Sequence, residues 1–253
     1  MSDALIKAHL NLCAVLQNLE ELVRLDPEMA ILTKSWDLSI QFSVAGGPAA
    51  YVGFTGGICT HGLGRHPSPS VKLFFFSPGH CNKMFDGKGN PVPLKGFTKL
   101  GFLSKQFSKL TDRLSYYLKP GAGMLDDPAF RDINTALSLY TGVYAVKVLA
   151  EHEPLCKGIA AGMPQGTLAI RVQNGGPAAW LNYGPEGITA GKGIAEAPLA
   201  AMTFTDMTAA HEVLSGKLDS MQAIGLGKLA LSGMLPLVEN TGLILDRVEG
   251  WLQ

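Results

Sequence analysis

A chain of 253 residues, 47% apolar and only 17% charged, is long enough to bury one large core or two small ones, and too apolar to stay disordered. The formal net charge is zero, but residues 1–120 carry 13 basic and 8 acidic side chains (+5) while residues 121–253 carry 8 and 13 (−5). That asymmetry reads as drift between two halves, as complementary docking of one half on the other, or as a basic face for anionic lipid. No aromatic or glycine-rich nucleic-acid motif accompanies the lysines, so a nucleic-acid partner is not expected.

The first element is a helix, because Leu5, Leu12, Leu16, Leu19 and Val23 recur at steps of three, four or seven. Asp26-Pro27 ends it or starts a further turn. Clean alternation follows, with Leu38, Ile40, Phe42 and Val44 on one face and Asp37, Ser39, Gln41 and Ser43 on the other, which predicts a half-buried strand. Gly46-Gly47-Pro48 makes a turn, where positive φ is expected of the glycines, so valine at Gly47 or Gly176 should destabilise. Further strands run through Ala50, Val52 and Phe54, on to about Leu63, and from Val71 to Phe76 after a proline-rich crossing at His66-Pro67-Ser68-Pro69.

Ser77-Pro78 is an N-cap followed by proline, and the helix it opens stops near Gly87. Phe97–Leu103 is expected as the last strand and Ser104–Leu118 as a closing helix. Lys119-Pro120-Gly121-Ala122-Gly123 has the composition of a linker.

The order then repeats. Gly46-Gly47-Pro48-Ala49-Ala50-Tyr51 returns as Gly175-Gly176-Pro177-Ala178-Ala179-Trp180, displaced by 129 positions (175 − 46). The same displacement carries Pro69 to Pro198, Phe75 to Phe204, Gly87-Lys88 to Gly216-Lys217, Gly96 to Gly225 and Lys99-Leu100 to Lys228-Leu229. The period is too long for a solenoid, so the chain is read as two domains, 1–120 and 121–253. In the second, a helix from Asp127-Pro128 precedes strands near Leu168–Val172, Ala178–Tyr183, Ile188–Gly191 and Ala200–Thr205. A helix from Asp206 to Gly216, a strand Leu226–Ser232 and a final helix to Leu252 complete it. The class is α+β: two tandem copies of a five-stranded sheet with helices on one face. Within the first helix of copy two, Ile133–Leu149 holds a single charge, Lys147, yet polar interruptions and helical periodicity favour burial between the domains over a membrane span.

Phe85-Asp86-Gly87-Lys88-Gly89-Asn90-Pro91 followed by Gly96-Phe97-Thr98-Lys99-Leu100 resembles the sterol carrier protein type 2 family of lipid-transfer domains. Val213-Leu214-Ser215-Gly216-Lys217-Leu218-Asp219 with Gly227-Lys228-Leu229-Ala230-Leu231-Ser232-Gly233 resembles it more closely. Copy one departs from the family's pattern where Phe97-Thr98-Lys99 replaces Gly-Lys, and a tandem with nothing else attached is unusual. The resemblance implies a mixed sheet with helices on one side, enclosing an apolar tunnel for a fatty acyl chain, sterol or isoprenoid.

Such a site needs no reactive group, only exclusion of water at about 0.8 kcal/mol per buried methylene. Candidate walls are Phe42, Tyr51, Phe54, Phe75, Met84, Phe85, Phe97, Phe102 and Phe107 in copy one. In copy two they are Trp180, Tyr183, Met202, Phe204, Leu214, Leu231, Leu235 and Val238. Each of these also reads as ordinary core. Gly87-Lys88 and Gly216-Lys217 read as helix caps, or as lysines at a tunnel mouth meeting a carboxylate or phosphate.

Cys59, His61, His66, His80 and Cys81 lie near strand ends without metal-ligand spacing, so no metal or cofactor is expected. Cys13, Cys59, Cys81 and Cys156 have no CxxC spacing and read as unbridged thiols. Nucleophile-elbow, Walker, dinucleotide and zinc-protease signatures are missing, so no enzyme is expected. Asp3 and Lys7 ahead of a short apolar stretch do not make a signal peptide, and a cytoplasmic protein is expected. The function expected is non-catalytic binding or transfer of a hydrophobic lipid, with transient membrane contact through the basic face of copy one. The alternative is an accessory scaffold for enzymes acting on hydrophobic substrates.

Overall fold

The opening apolar stripe folds as α1 (Asp3–His9), a π-helical turn (Leu10–Val15) and α2 (Asn18–Leu25), followed by the short α3 (Pro27–Thr33). These coordinates come from a computed structural model that describes residues 1–252. Asp26 separates α2 from α3, its carboxylate accepting from the Glu28 and Met29 backbone N–H groups in the manner of an N-cap. The chain divides into two units, Met1–Pro120 and a second beginning at Gly121.

In the first unit β1 (Leu38–Val44), β2 (Ala49–Thr55), β3 (Ile58–Leu63), β4 (Val71–Phe75) and β5 (Val92–Lys95) form one sheet in the order β3-β2-β1-β4-β5. β1 and β4 are parallel and the other pairs antiparallel, so the sheet is mixed. Leu38, Ile40, Phe42, Val52, Phe54, Leu73 and Phe75 fill one face and are buried. α4 (Pro78–Phe85) lies against β4 and α1, with Ser77 Oγ accepting from His80 N–H at its start. At its end Gly87 takes φ +70°, and Lys88 N–H bonds back to the Lys83 carbonyl, so the glycine is a helix terminator.

The first unit ends in the helical stretch α5 (Leu100–Phe102), a π turn (Leu103–Phe107) and α6 (Ser108–Leu118). The second unit repeats the plan. α7 (Pro128–His152) and α8 (Pro154–Ala161) lead into β6 (Gly166–Val172), β7 (Ala178–Gly184), β8 (Gly187–Lys192) and β9 (Ala200–Phe204). α9 (Met207–Leu214), α10 (Ser220–Gly225), β10 (Leu229–Gly233) and α11 (Leu235–Leu252) complete the order, and the sheet reads β10-β9-β6-β7-β8 with β6 and β9 parallel. α7 packs on β7 and β8 and against α8, α9 and α11, and it is buried on nearly every side. No helix among the described residues is long and apolar enough to cross a membrane.

Two sequence expectations are corrected. Phe97–Leu103 is helical, not a strand, and the fifth strand of the first sheet is Val92–Lys95. The reason is a length difference between copies. Val92 pairs with Phe74 as Ala230 pairs with Thr203, a displacement of 138 (230 − 92) rather than 129, and α10 supplies the extra residues in copy two. Lys99-Leu100 and Lys228-Leu229 therefore match as letters but not as elements. The helical spacing Leu103, Phe107, Leu110, Leu114, Tyr117 continues from the segment that was read as a strand. In copy two the strand starts at Leu229 rather than Leu226, because α10 and the turn after it occupy the residues before.

The second correction concerns the hairpin turn. Positive φ falls on Gly46 (+66°) and Gly175 (+80°), not on Gly47 or Gly176. A Cβ on Gly47 would sit 3.0 Å from Val44 Cγ1, and one on Gly176 would sit 2.7 Å from Val172 Cβ. Valine there is costly through crowding rather than through backbone conformation.

Candidate functional site

The two faces of each sheet carry different side chains, and this divides the expected wall residues. Phe42, Phe54 and Phe75 point to the helix-covered face of the first sheet and are fully buried. Tyr51 projects from the opposite face, its ring lying over Gly62 and meeting His66 edge-on at 4.9 Å. A Cβ at Gly62 would fall inside the Tyr51 ring, so the close approach requires glycine. Trp180 repeats this over Gly191 in copy two. Tyr51 and Trp180 thus do not share a chamber with the other wall residues.

On the helix side of the first lobe the space is filled by aromatic rings. Trp36, absent from the sequence-derived set, packs edge-on against Phe54 at 4.9 Å and Phe102 at 4.7 Å, and Phe54 meets Phe107 at 6.4 Å. Its position just before β1 gave no periodic signal. Met84 and Phe85, at the end of α4, are half-buried, and Phe97 is 63% exposed.

The second lobe is built differently. Tyr183 replaces Phe54 and spends its hydroxyl on Thr241 Oγ1 at 3.0 Å, while burial pushes the phenol up to about 12. Phe204 and Val238 are buried. Met202 and Leu231 are register partners across β9 and β10, on the helix-facing side, and both are only half-buried. The counterpart of Met202 in the first lobe, Leu73, is 4% exposed. α9 and α11 both lie on β9, and Leu214 at the end of α9 is half-buried while Leu235 at the start of α11 is 48% exposed. Met202 and Leu231 thus make a half-exposed apolar pair on the face where α9 and α11 lie on β9.

On the opposite face of this sheet a hollow of about 10 Å3 lies among Ala169, Ala178, Ala179 and Ile194. It has room for a water at most. In the first lobe Gln41 stands where Ala169 stands in the second, and its amide binds the carbonyls of Phe42, Ala50 and Gly64.

Each lobe also carries a carboxylate clasp that sequence reasoning did not pick out, although Asp26-Pro27 and Glu153-Pro154 mark it. Asp26 accepts from Arg113 Nε at 2.6 Å and from the Tyr117 hydroxyl at 3.0 Å. Glu153 accepts from Arg247 Nη2 at 3.0 Å and from Cys156 N–H at 2.7 Å. Both tie the cap of a short helix to the closing helix. Burial alone would raise Asp26, but Arg113, the Met29 N–H and Tyr117 outweigh it and hold the carboxyl below its ordinary value. Glu153 is likewise pushed up by burial and brought below its ordinary value by Cys156 and Arg247.

The histidines and cysteines of copy one are dispersed. His61 bonds the Leu12 carbonyl at 2.8 Å, His66 lies against Tyr51, and His80 stacks on Phe76. Among the described residues no three His, Cys, Asp or Glu side chains could hold a metal ion, and none of the four cysteines is in a disulfide. Cys81 is buried and its thiol is pushed up to about 12 by that burial.

No family model matches the sequence, and no curated protein matches it. Among solved structures, the sterol carrier protein domain 2 of Helicoverpa armigera is similar over 45% of this chain and 89% of its own, at 16% identity and a TM-score of 0.36. The UbiJ-SCP2 ubiquinone synthesis protein is similar over 41% of this chain and 88% of its own, at 15% identity and a TM-score of 0.33. Sterol carrier protein 2 like 2 from Aedes aegypti is similar over 41% and 92%, at 18% identity and a TM-score of 0.30. The likeness is of low identity and covers part of the chain. It concerns the arrangement of strands and helices alone.

Proposed function

We propose that the protein binds a hydrophobic ligand without chemical change, and that the second lobe does the binding. The observation that carries this reading is that Met202 and Leu231 are only half-buried on the face where α9 and α11 lie on β9, while Leu73, the first lobe's counterpart of Met202, is buried; we read the pair as the floor of an apolar trough between those helices. An acyl, sterol or isoprenoid chain laid in the trough removes water from both surfaces. A dozen methylenes supply roughly 10 kcal/mol before ordering costs. The ligand lies in an open trough rather than a closed tunnel.

An accessory scaffold that docked its partners through Ile133–Leu149 would need that stretch exposed, and those residues are largely buried.

Met202→Trp fills the trough without adding charge. Titration of the full chain with dodecanol, followed by native mass spectrometry, should give one bound molecule for the parent and binding at least tenfold weaker for the variant, with melting unchanged. Equal binding by both, or none by the parent, sinks the proposal.

A further inference from the structure

Gln41 pairs with Tyr51 across the face of the first sheet that the helices leave uncovered, and it is 2% exposed. Its Nε2 donates to the carbonyls of Phe42 at 2.9 Å, Ala50 at 3.0 Å and Gly64 at 3.1 Å. Its Oε1 accepts from His66 N–H at 2.6 Å. One carboxamide thereby fastens the crossing between β3 and β4 onto β1 and β2.

The second lobe keeps the backbone and lacks the side chain. Ala169 pairs with Trp180 as Gln41 pairs with Tyr51, and Ile170 pairs with Ala179 as Phe42 pairs with Ala50. Gly193 N–H donates to the Ala178 carbonyl at 2.7 Å, as Gly64 N–H donates to that of Ala49 at 2.7 Å. The displacement of 129 carries Gly64 to Gly193 (193 − 64) and His66 to Ala195 (195 − 66). In β1 it is 128 (169 − 41), because the hairpin bond from Val172 N–H to the Pro177 carbonyl spans one residue more than that from Val44 to Pro48. The backbone groups that hold the Gln41 carboxamide therefore have counterparts in Ile170, Ala179, Gly193 and Ala195. All four residues line the hollow of about 10 Å3.

Backbone groups withdrawn from bulk solvent need partners, and a side chain supplies them in the first lobe. Three acceptors and one donor around a space of this size suit a water, which gives two protons and accepts others. They suit a monovalent cation poorly, because Ala195 N–H would turn its positive end toward it. An organic ligand is too large.

We infer that the second lobe binds one structural water in place of the Gln41 carboxamide, among the carbonyls of Ile170, Ala179 and Gly193 and the N–H of Ala195. Solvent then does for the crossing between β8 and β9 what a side chain does for the crossing between β3 and β4. The site lies on the opposite face of the sheet from the proposed trough and does not depend on it.

High-resolution crystal structures of the full chain and two variants test this. The parent should show one ordered solvent peak about 3 Å from Ala195 N and from at least two of the three carbonyl oxygens. Ala169→Gln should lose that peak to its own carboxamide, and Gln41→Ala should gain the equivalent peak in the first lobe. If Ala169→Gln does not fold, the parent and Gln41→Ala still decide. A parent without the peak, or a Gln41→Ala first lobe that takes up no solvent, overturns the inference. So does a parent peak that becomes anomalous when rubidium replaces sodium, since that is a cation.

Discussion

Asp26 and Glu153 do the same work at two points of the chain: each caps a short helix and holds an arginine of the closing helix. Their side chains are nearly or fully enclosed, 1% and 9% exposed, while Arg113 and Arg247 reach partly into solvent. For the more enclosed pair, Asp26 with Arg113, a charge-assisted hydrogen bond contributes about 2 kcal/mol. Both folded-state pKa values lie below the ordinary values, which are about 3.9 for aspartate and 4.3 for glutamate. The stabilisation is therefore complete above those values and is lost as pH falls through the lower folded ones. Asp26→Asn should lower the melting temperature at pH 7 and flatten its dependence on pH below about 4. A parent and variant that lose stability in parallel below that pH would show that the clasp contributes nothing.

The stretch from Phe97 to Leu118 tests how an element is chosen. Phe97, Thr98, Leu100 and Phe102 alone suit a strand, and the sequence match to Lys228-Leu229 points the same way. Helical spacing downstream and the missing residues of α10 decide for helix. Gly101 sits in α5 with open space where a Cβ would stand. Gly101→Ala should therefore stabilise the protein by about 0.5–1 kcal/mol, and Gly101→Val by less, since alanine is the better helix former. Thermal melts in which valine outranks alanine would restore the strand. The π turns at Leu10–Val15 and Leu103–Phe107 both belong to the first lobe, and the pattern of apolar residues gave no sign of either.

At the scale of the molecule, the first lobe exposes apolar and basic side chains near β5, and the second leaves Met202 and Leu231 half-exposed. Phe76, Leu94, Phe97 and Leu100 are exposed along and beyond β5, among Lys88, Lys95, Lys99 and Lys105. Contact of this stretch with an anionic bilayer, which the excess of basic residues in the first half leads us to propose, would draw about 1 kcal/mol from each lysine near the surface. Vesicles of phosphatidylcholine with phosphatidylserine should retain the protein at low salt and release it at high salt. Lys95→Glu with Lys99→Glu should weaken that retention by more than tenfold, with dodecanol binding intact. Retention that ignores both the charge reversals and salt would rule the edge out.

Residue order alone determined the duplication, the alternating strands, the capped helices and the α+β class, because each follows from periodicities of two or 3.6 and from turn residues acting within a few positions. It did not determine which wall residues meet. Tyr51 and Trp180 face away from Phe42 and Phe204, Trp36 enters the core from a connection, and His211 meets Thr135 from 76 positions away. Only tertiary packing decided these, since side-chain alternation says that a strand has two faces but not which face the helices will cover.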